Sequence, residues 1–176
     1  MFWKRKKKEE FNCSQCGENH EELGALAFEV PNYLLAITKE ERESRVTMND
    51  DFCIVQGDER DYWFIRVVLE QRIIDHPDLL LEYGVWVSLS EKSFMDYDEH
   101  FKSGKKTGYF GWFNNLISEY DNTVNIPCDV YATNDGQRPI IVPHEDHDHP
   151  FVRDFYNGIS KEEAERRIHL VLKNNR

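Results

Sequence analysis

A short segment near the amino terminus carries side chains whose types and spacing suit metal binding. Cys13 and Cys16 are separated by two residues, and Gly17 follows directly. Two thiolates at this spacing bind one Zn²⁺ when the chain turns sharply between them. A glycine after the second cysteine favours such a turn because it takes positive φ without strain. His20 lies close enough to be a third ligand. The segment predicts a zinc-knuckle-like turn, and it predicts no particular reaction.

The remaining ligand of such a site must come from further along the chain. A closed structural zinc site has four protein ligands, and the sequence has no second Cys-x-x-Cys. Cys128 is in phase with the apolar residues of a predicted strand and is interpreted as a small core residue. Cys53 stands near the start of another predicted strand, within reach of a loop metal site, and is favoured over Cys128 or a histidine. The predicted ligands of a structural zinc ion are Cys13, Cys16, His20 and Cys53.

Two other interpretations of the cysteine pair are open. One alternative is a pair of free thiols in a turn, because unbound cysteines behave as small apolar residues. A thioredoxin-like redox pair is the other alternative. It is disfavoured because no apolar strand precedes the motif and no helical pattern follows it.

A second group of metal-binding side chains lies in the segment 143–150. It contains three histidines and three carboxylates between two prolines. Imidazole and carboxylate suit Zn²⁺, Mn²⁺ or Fe²⁺, so His144 and His147 would chelate an ion if the loop curled. The segment is not the helical metalloprotease motif, because no histidine stands four residues after His144 and the flanking prolines resist a helix. An exposed polar loop is the simpler interpretation, and a metal-dependent hydrolase using the loop His144–His149 is the alternative function.

Composition and charge restrict the remaining function classes. The chain has 176 residues, 40% of them hydrophobic and 13% aromatic, which predicts a single globular domain over residues 11–176 after a basic flexible tail at 1–10. The net charge of −11 repels nucleic-acid phosphates and suits a basic protein partner. The sequence has no apolar run long enough to span a membrane and no apolar leader, so we expect a cytoplasmic protein with reduced thiols.

Local patterns predict two or three helices. A capping box at Thr38 begins a short helix over about 38–45, and Ser90 caps a helix over about 91–103. A second capping box at Ser160 begins a carboxy-terminal helix.

Alternating apolar residues predict strands separated by turns. Such an order argues for an α+β fold with a mainly antiparallel sheet of about five or six strands. Pro127, within one of these strands, indicates an edge position. The aromatic segment 109–113 is interpreted as core packing. The predicted strands are 52–55, 62–69, 83–89, 124–132 and 140–142.

An ordered set of short motifs extends over most of the chain. The motifs are Cys13-x-x-Cys16-Gly17-x-x-His20, Asp51-Phe52-Cys53-Ile54, Gly84-Val85-Trp86-Val87-Ser88-Leu89-Ser90, Phe110-Gly111-Trp112, Gly136-x-Arg138-Pro139, His149-Pro150 and Gly158-Ile159-Ser160. This set resembles the bacterial domain-of-unknown-function family 2199 over about residues 11–170. The resemblance implies that Cys53 belongs to the shared pattern and Cys128 does not.

The resemblance implies no activity, so the function must be inferred from the residues. We expect a non-enzymatic binding or inhibitor-type domain that is stabilised by a structural zinc ion. A basic protein is the expected partner, and direct binding to nucleic acid or membrane is not expected.

Overall fold

The computed structural model describes residues 11–20, 23–101, 107–132 and 137–174, without the side chains of Phe11, His20 and residues 172–174. The predicted basic tail at 1–10 lies outside these ranges. The fold is α+β, as the sequence predicts. In chain order the elements are β1 (Phe11–Asn12), β2 (Asn19–His20), β3 (Leu26–Ala27), a 3-10 helix (Asn32–Ala36), α1 (Lys39–Arg45), β4 (Val46–Met48), β5 (Phe52–Val55), β6 (Tyr62–Arg72), β7 (Leu80–Leu89), α2 (Glu91–His100), β8 (Gly108–Phe113), β9 (Pro127–Tyr131), β10 (Ile140–Pro143), α3 (Pro150–Asn157) and α4 (Lys161–Asn174).

Five strands close into a ring. The eight-stranded sheet has the order β3-β7-β8-β9-β10-β6-β5-β4. Strand β6 also pairs with β7, and this pairing closes a ring of β6, β7, β8, β9 and β10. The pairing of β10 with β6 is parallel at Ile140 and Val68, and the backbone N–H of Val68 donates to the carbonyl of Pro139 at 2.8 Å. The β3–β7 pair is also parallel, whereas the other pairs are antiparallel. The sheet is therefore mainly antiparallel, with more strands than the five or six predicted.

The inside of the ring holds the main core. Strand alternation directs one side chain in two inward, and helices α2, α3 and α4 add Phe94, Phe151 and Ala164 to the same cluster. Each large apolar side chain buried there contributes about 1.5–3 kcal/mol to folding. The ring residues of the cluster include Val67, Leu69, Val85, Val87, Phe113, Cys128, Val130 and Ile141.

A second core lies on the outer side of β5, β6 and β7. Phe64 and Trp86 are buried there beneath the segment 28–37, which includes the 3-10 helix. The carbonyl oxygen of Phe28 accepts hydrogen bonds from Trp86 Nε1 at 3.0 Å and from the Arg66 guanidinium at 2.9 Å. This side of the sheet is thus covered by the chain itself.

The local signals predicted the helices well. Thr38 caps α1 with a complete capping box, and Ser90 caps α2, whose predicted last residues, 102–103, lie outside the described residues. Ser160 accepts a hydrogen bond from the backbone N–H of Glu163 at the start of α4. Helix α3 was not predicted. It begins at Pro150, where proline is favourable because the first helical N–H needs no partner.

Two strand predictions need correction. Pro127 is not on an edge strand, because β9 pairs with both β8 and β10; the proline is tolerated since it is the first residue of its strand. The segment 109–113 is only partly core. It forms most of β8, whose alternation buries Tyr109 and Phe113 but exposes Phe110 and Trp112.

None of the helices in the described parts of the chain is long and apolar enough to cross a membrane.

Candidate metal centre

The Cys-x-x-Cys segment forms a tight turn between two very short strands. Asn12 pairs with Asn19 in the β1–β2 ribbon. Inside the turn, the backbone N–H of Cys13 donates to the carbonyl of Glu18 at 2.8 Å, and that of Gly17 donates to the carbonyl of Cys13 at 2.9 Å. Gly17 has φ +75°, a conformation that other residues adopt only with strain. The turn is therefore stabilised by backbone hydrogen bonds within the segment and by the positive φ of Gly17.

Helix α4 holds this turn in place through Glu165. One carboxylate oxygen of this buried residue accepts hydrogen bonds from the backbone N–H of Ser14, at 2.9 Å, and from the Ser14 hydroxyl. The other oxygen lies 3.2 Å from Lys161 Nζ, which also donates to the carbonyl of Asn12 at 3.0 Å. Burial acts to raise the pKa of Glu165, but the Ser14 hydrogen bonds and the Lys161 charge outweigh it and lower the pKa. Glu165 is thus held as a carboxylate.

One helical turn after Glu165, His169 faces the cysteine pair. Residues four apart lie on the same face of a helix, so the docking of Ser14 on Glu165 also brings His169 to the turn. His169 Nε2 lies 3.4 Å from Cys13 Sγ. The ligand atoms of Cys13, Cys16 and His169 all lie within 4.8 Å of one another. Cys13 is only 3% exposed, Cys16 is exposed and His169 is partly exposed.

Two thiols and an imidazole at these distances fit a zinc ion. Zn²⁺ prefers sulfur and nitrogen ligands in tetrahedral geometry, and these side chains supply three of the four. The backbone N–H of Glu18 acts to lower the pKa of Cys16. Desolvation and the adjacent Cys13 sulfur act in the opposite direction, and the net pKa is raised. A cation between the sulfurs would reverse this balance because it stabilises both thiolates.

The structure brings together two of the four predicted ligands. Cys13 and Cys16 lie side by side, whereas the backbone of His20 lies in β2 and its side chain is outside the described part. Cys53 is fully buried in the second core, where burial raises the pKa of its thiol to about 12, and it is not part of the Cys13–Cys16–His169 group. The assignment of His20 and Cys53 as ligands stays a prediction.

Cys128 occupies the core position expected for it. It is fully buried inside the ring, and burial raises the pKa of its thiol to about 12. Its Sγ donates to the carbonyl of Gly111 at 3.3 Å.

His169 was missed by sequence reasoning. It belongs to the predicted carboxy-terminal helix, but its distance of 156 positions from Cys13 removes any spacing signal. The one signal in the sequence is that His169 stands four residues after Glu165, so the two side chains share a face of the predicted helix. That clue has meaning only once the docking of the turn on α4 is known.

The histidine-rich loop has structural contacts instead of a shared ligand site. His144 Nε2 lies 3.2 Å from Asp129 Oδ1, and His149 Nδ1 accepts the backbone N–H of Phe151 as the amino-terminal cap of α3. The His147 and His149 rings stack with centroids 6.3 Å apart. Burial, and then the proximity of His147, lower the pKa of His149. Among the described residues, no group of three ligands forms in this loop.

Residues 12–159 match a family described as "Uncharacterized protein conserved in bacteria (DUF2199)". The chain belongs to this family. The family suggested by the motif order is thereby confirmed, and Cys13, Cys16 and Cys53 all fall within the matched residues. His169 and the rest of α4 lie beyond them in this DUF2199 protein. Comparisons with curated proteins and with solved structures gave no match.

Proposed function

We propose that this DUF2199 protein is a non-enzymatic binding domain in which Cys13, Cys16 and His169 hold a structural zinc ion. The observation that carries the zinc site is the convergence of the three ligand atoms within 4.8 Å. We place His20, which ends the ribbon that contains both cysteines and is predicted from the sequence as the third ligand, in the fourth position. Cys53, the fourth ligand predicted from the sequence, and a water molecule are the alternatives.

The surroundings of the three ligands favour a structural role. The nearby carboxylate of Glu165 is occupied by Ser14 and Lys161, so it positions the turn and is not directed at a substrate. The ligands also come from the first ribbon and the last helix of the described chain. An ion at this point closes a long loop and stabilises the fold by restricting the unfolded chain.

The proposed partner is a basic protein. The net charge of −11 attracts positive surfaces over long distances and repels phosphate backbones. The alternative prediction, a metal-dependent hydrolase using the loop His144–His149, gains no support from the contacts of His144 and His149, which bind Asp129 and cap α3.

Metal analysis tests the zinc site. Protein purified without chelator should contain about one zinc per chain, because two thiolates and an imidazole held together by the fold bind zinc strongly. Cys13→Ser and His169→Ala should lose the metal. His76→Ala, which changes an exposed histidine between β6 and β7, is the matched control and should keep it. Absence of zinc in fresh, reduced wild-type protein, or full zinc in His169→Ala, would contradict the site.

Cobalt substitution identifies the ligands directly. Tetrahedral Co²⁺ bound to two thiolates gives intense visible bands and sulfur-to-cobalt charge transfer. We expect these bands in the wild type and their loss in Cys13→Ser, Cys16→Ser and His169→Ala, because each variant lacks one ligand of the site. Wild-type bands in any of these variants would exclude that residue as a ligand.

Partner capture tests the binding role. Immobilised protein in extract of the source cell should enrich basic proteins, and the enrichment should fall as salt rises because exposed charges are screened beyond about 8 Å at physiological ionic strength. An unrelated protein of similar net charge is the control. Enrichment identical to that of the control would indicate that the negative charge serves solubility alone.

A further inference from the structure

The outer face of β8 and β9 exposes large aromatic side chains. Phe110 and Trp112 on β8 are 45% and 44% exposed, and Tyr131 on β9 is 49% exposed. The Phe110 and Trp112 rings pack edge to face with centroids 5.0 Å apart. Single exposed apolar residues are common, but adjacent aromatic rings on neighbouring strands indicate a binding surface.

The described helices make their main contacts elsewhere on the sheet. Within the described ranges, α1 packs on β4, α2 on β6 and β7, and α3 on β6. The segment 28–37 covers the outer face of the sheet over β5, β6 and β7. Trp112 pairs with Ser88 on β7, so the exposed rings lie on the same outer face, over β8 and β9. Their exposure shows that the described chain leaves this part of the face largely uncovered.

A carboxylate lies among the rings. Asp129 is paired with Phe110 on β8 and with Val142 on β10, so its side chain shares their outer face. The Asp129 side chain is about half exposed, and His144 Nε2 lies 3.2 Å from it. The His144 ring also contacts Phe110, with centroids 5.6 Å apart. The carboxylate is thus fixed beside an aromatic platform.

More negative charge borders the same face. Glu145 and Asp146 are exposed and directly follow His144. Burial raises the pKa of Tyr156, and the charges of Glu145, Asp129 and Asp146 raise it further. These carboxylates therefore act on one neighbourhood, and their local charge has the same sign as the net charge of the chain.

We infer that this aromatic–acidic face, formed by Phe110, Trp112, Asp129 and Tyr131 with Glu145 and Asp146 at its edge, binds an arginine-containing segment of the basic partner. The inference rests on the proposed function. A guanidinium group stacks on aromatic rings and donates in-plane hydrogen bonds to a carboxylate at the same time. Arginine matches both features of the face, whereas a phosphate would be repelled by its carboxylates and a second copy would bring like charges together.

A short fluorescent peptide of alternating arginine and glycine is a suitable probe. The wild type should bind it in a fluorescence anisotropy titration, and a lysine–glycine peptide of equal length should bind more weakly. Trp112→Ala and Asp129→Asn should each weaken binding by about tenfold, the effect of losing one well-placed interface residue. Tyr131→Phe keeps the ring and should have little effect.

Two control variants test whether the effects are specific to the aromatic–acidic face, because they change exposed apolar and acidic residues outside it. Leu35→Ala removes an apolar side chain that is 66% exposed in the 3-10 helix over β5, β6 and β7, and Asp78→Asn removes an exposed carboxylate before β7. Both should bind the peptide like the wild type. Thermal melting of each variant must match that of the wild type, and Phe110→Ser provides a second test of the face if Trp112→Ala is unstable.

The outcomes distinguish the face from the function on which it rests. If the face variants and the controls bind the peptide as tightly as the wild type does, the peptide binds elsewhere. The assignment of the aromatic–acidic face is then wrong, whereas binding to a basic partner is still supported. If neither the wild type nor protein without residues 1–10 binds the peptide even at low salt, the face is contradicted, and partner capture tests the proposed function separately. Binding that appears only after deletion of residues 1–10 would overturn the inference by indicating that the chain's own basic tail occupies the face.

Discussion

The Sγ atom of Cys13 lies 3.4 Å from Nε2 of His169, although the two residues are 156 positions apart in the chain. Their proximity links the β1–β2 ribbon to α4. A covalent crosslink over a loop of this length would stabilise the fold by about 5 kcal/mol through the lost entropy of the unfolded chain. A metal bridge has a smaller effect, because cysteines of the unfolded chain also bind metal.

Removal of the metal should destabilise the protein without unfolding it. We expect His169→Ala to lower the free energy of unfolding by about 2–5 kcal/mol in urea, because the crosslink is lost while the ring core remains. Chelator should have a similar effect on the wild type and no further effect on His169→Ala. The double variant Cys13→Ser with His169→Ala should resemble either single variant, since one missing ligand already disables the site. Additive losses would show that these residues do not share an ion.

Cys53→Ser separates the two possible ligand sets. Cys53 is fully buried beside Phe64 and Trp86, so a serine there buries a hydroxyl in an apolar cluster and should cost about 1–3 kcal/mol of stability. If the ion is held by the group that includes His169, zinc content should be unchanged. Folded Cys53→Ser protein without zinc would instead support Cys53 as a ligand. Cys128→Ser, buried inside the ring, is the control that should keep zinc under either set.

Glu165 should affect the metal indirectly. Glu165→Ala removes the acceptor that holds Ser14 against α4, and variants of such supporting residues weaken metal binding by about 10–100-fold. Glu165→Gln keeps an acceptor oxygen for Ser14 and should weaken binding less. Competition with a chromogenic chelator measures both. Glu162→Ala, an exposed neighbour on the same helix, is the control, and an equal effect of that variant would exclude a specific role for Glu165.

The start of α4 should become less stable in acid. Arg166 donates two hydrogen bonds to the carboxylate of Glu163, and Arg167 donates one. These bonds outweigh the effect of burial and lower the pKa of Glu163 to about 2. A carboxyl whose pKa is lowered by folding stabilises the protein above its unfolded pKa and loses this effect as pH falls toward the folded value. The contribution is at most about 3 kcal/mol, lost between about pH 4.5 and 2.

Unfolding experiments over this pH range test the role of Glu163. Glu163→Gln should be less stable than the wild type at neutral pH, and the difference should shrink below pH 4. Glu162→Gln should show no such convergence. Parallel pH curves for the wild type and Glu163→Gln would contradict the assignment.

Features that depend on neighbouring residues were predictable from the sequence. The capping box at Thr38 and the cap at Ser90 are local hydrogen-bond patterns, so they identified α1 and α2. Alternating apolar residues identified β5, β6 and β7 for the same reason. The turn at Cys13–Gly17 depends on its own glycine and spacing, and it was also predicted.

Features that depend on distant pairings were not predictable in this way. His169 reaches the cysteines only because the turn docks on α4, and no sequence period records that docking. The missing N–H of Pro127 favours an edge position, and only the ring closure places β9 between two other strands. The aromatic content of 109–113 favours core packing, but it does not identify which strand face is covered, and Phe110 and Trp112 are exposed.

The link between the ribbon and α4 also determines how the molecule would respond to force. With zinc bound, tension applied to the chain before β1 and after α4 acts first on the metal–ligand bonds, and the sheet between them carries little load. Optical-trap unfolding should then show one high-force rupture that chelator abolishes.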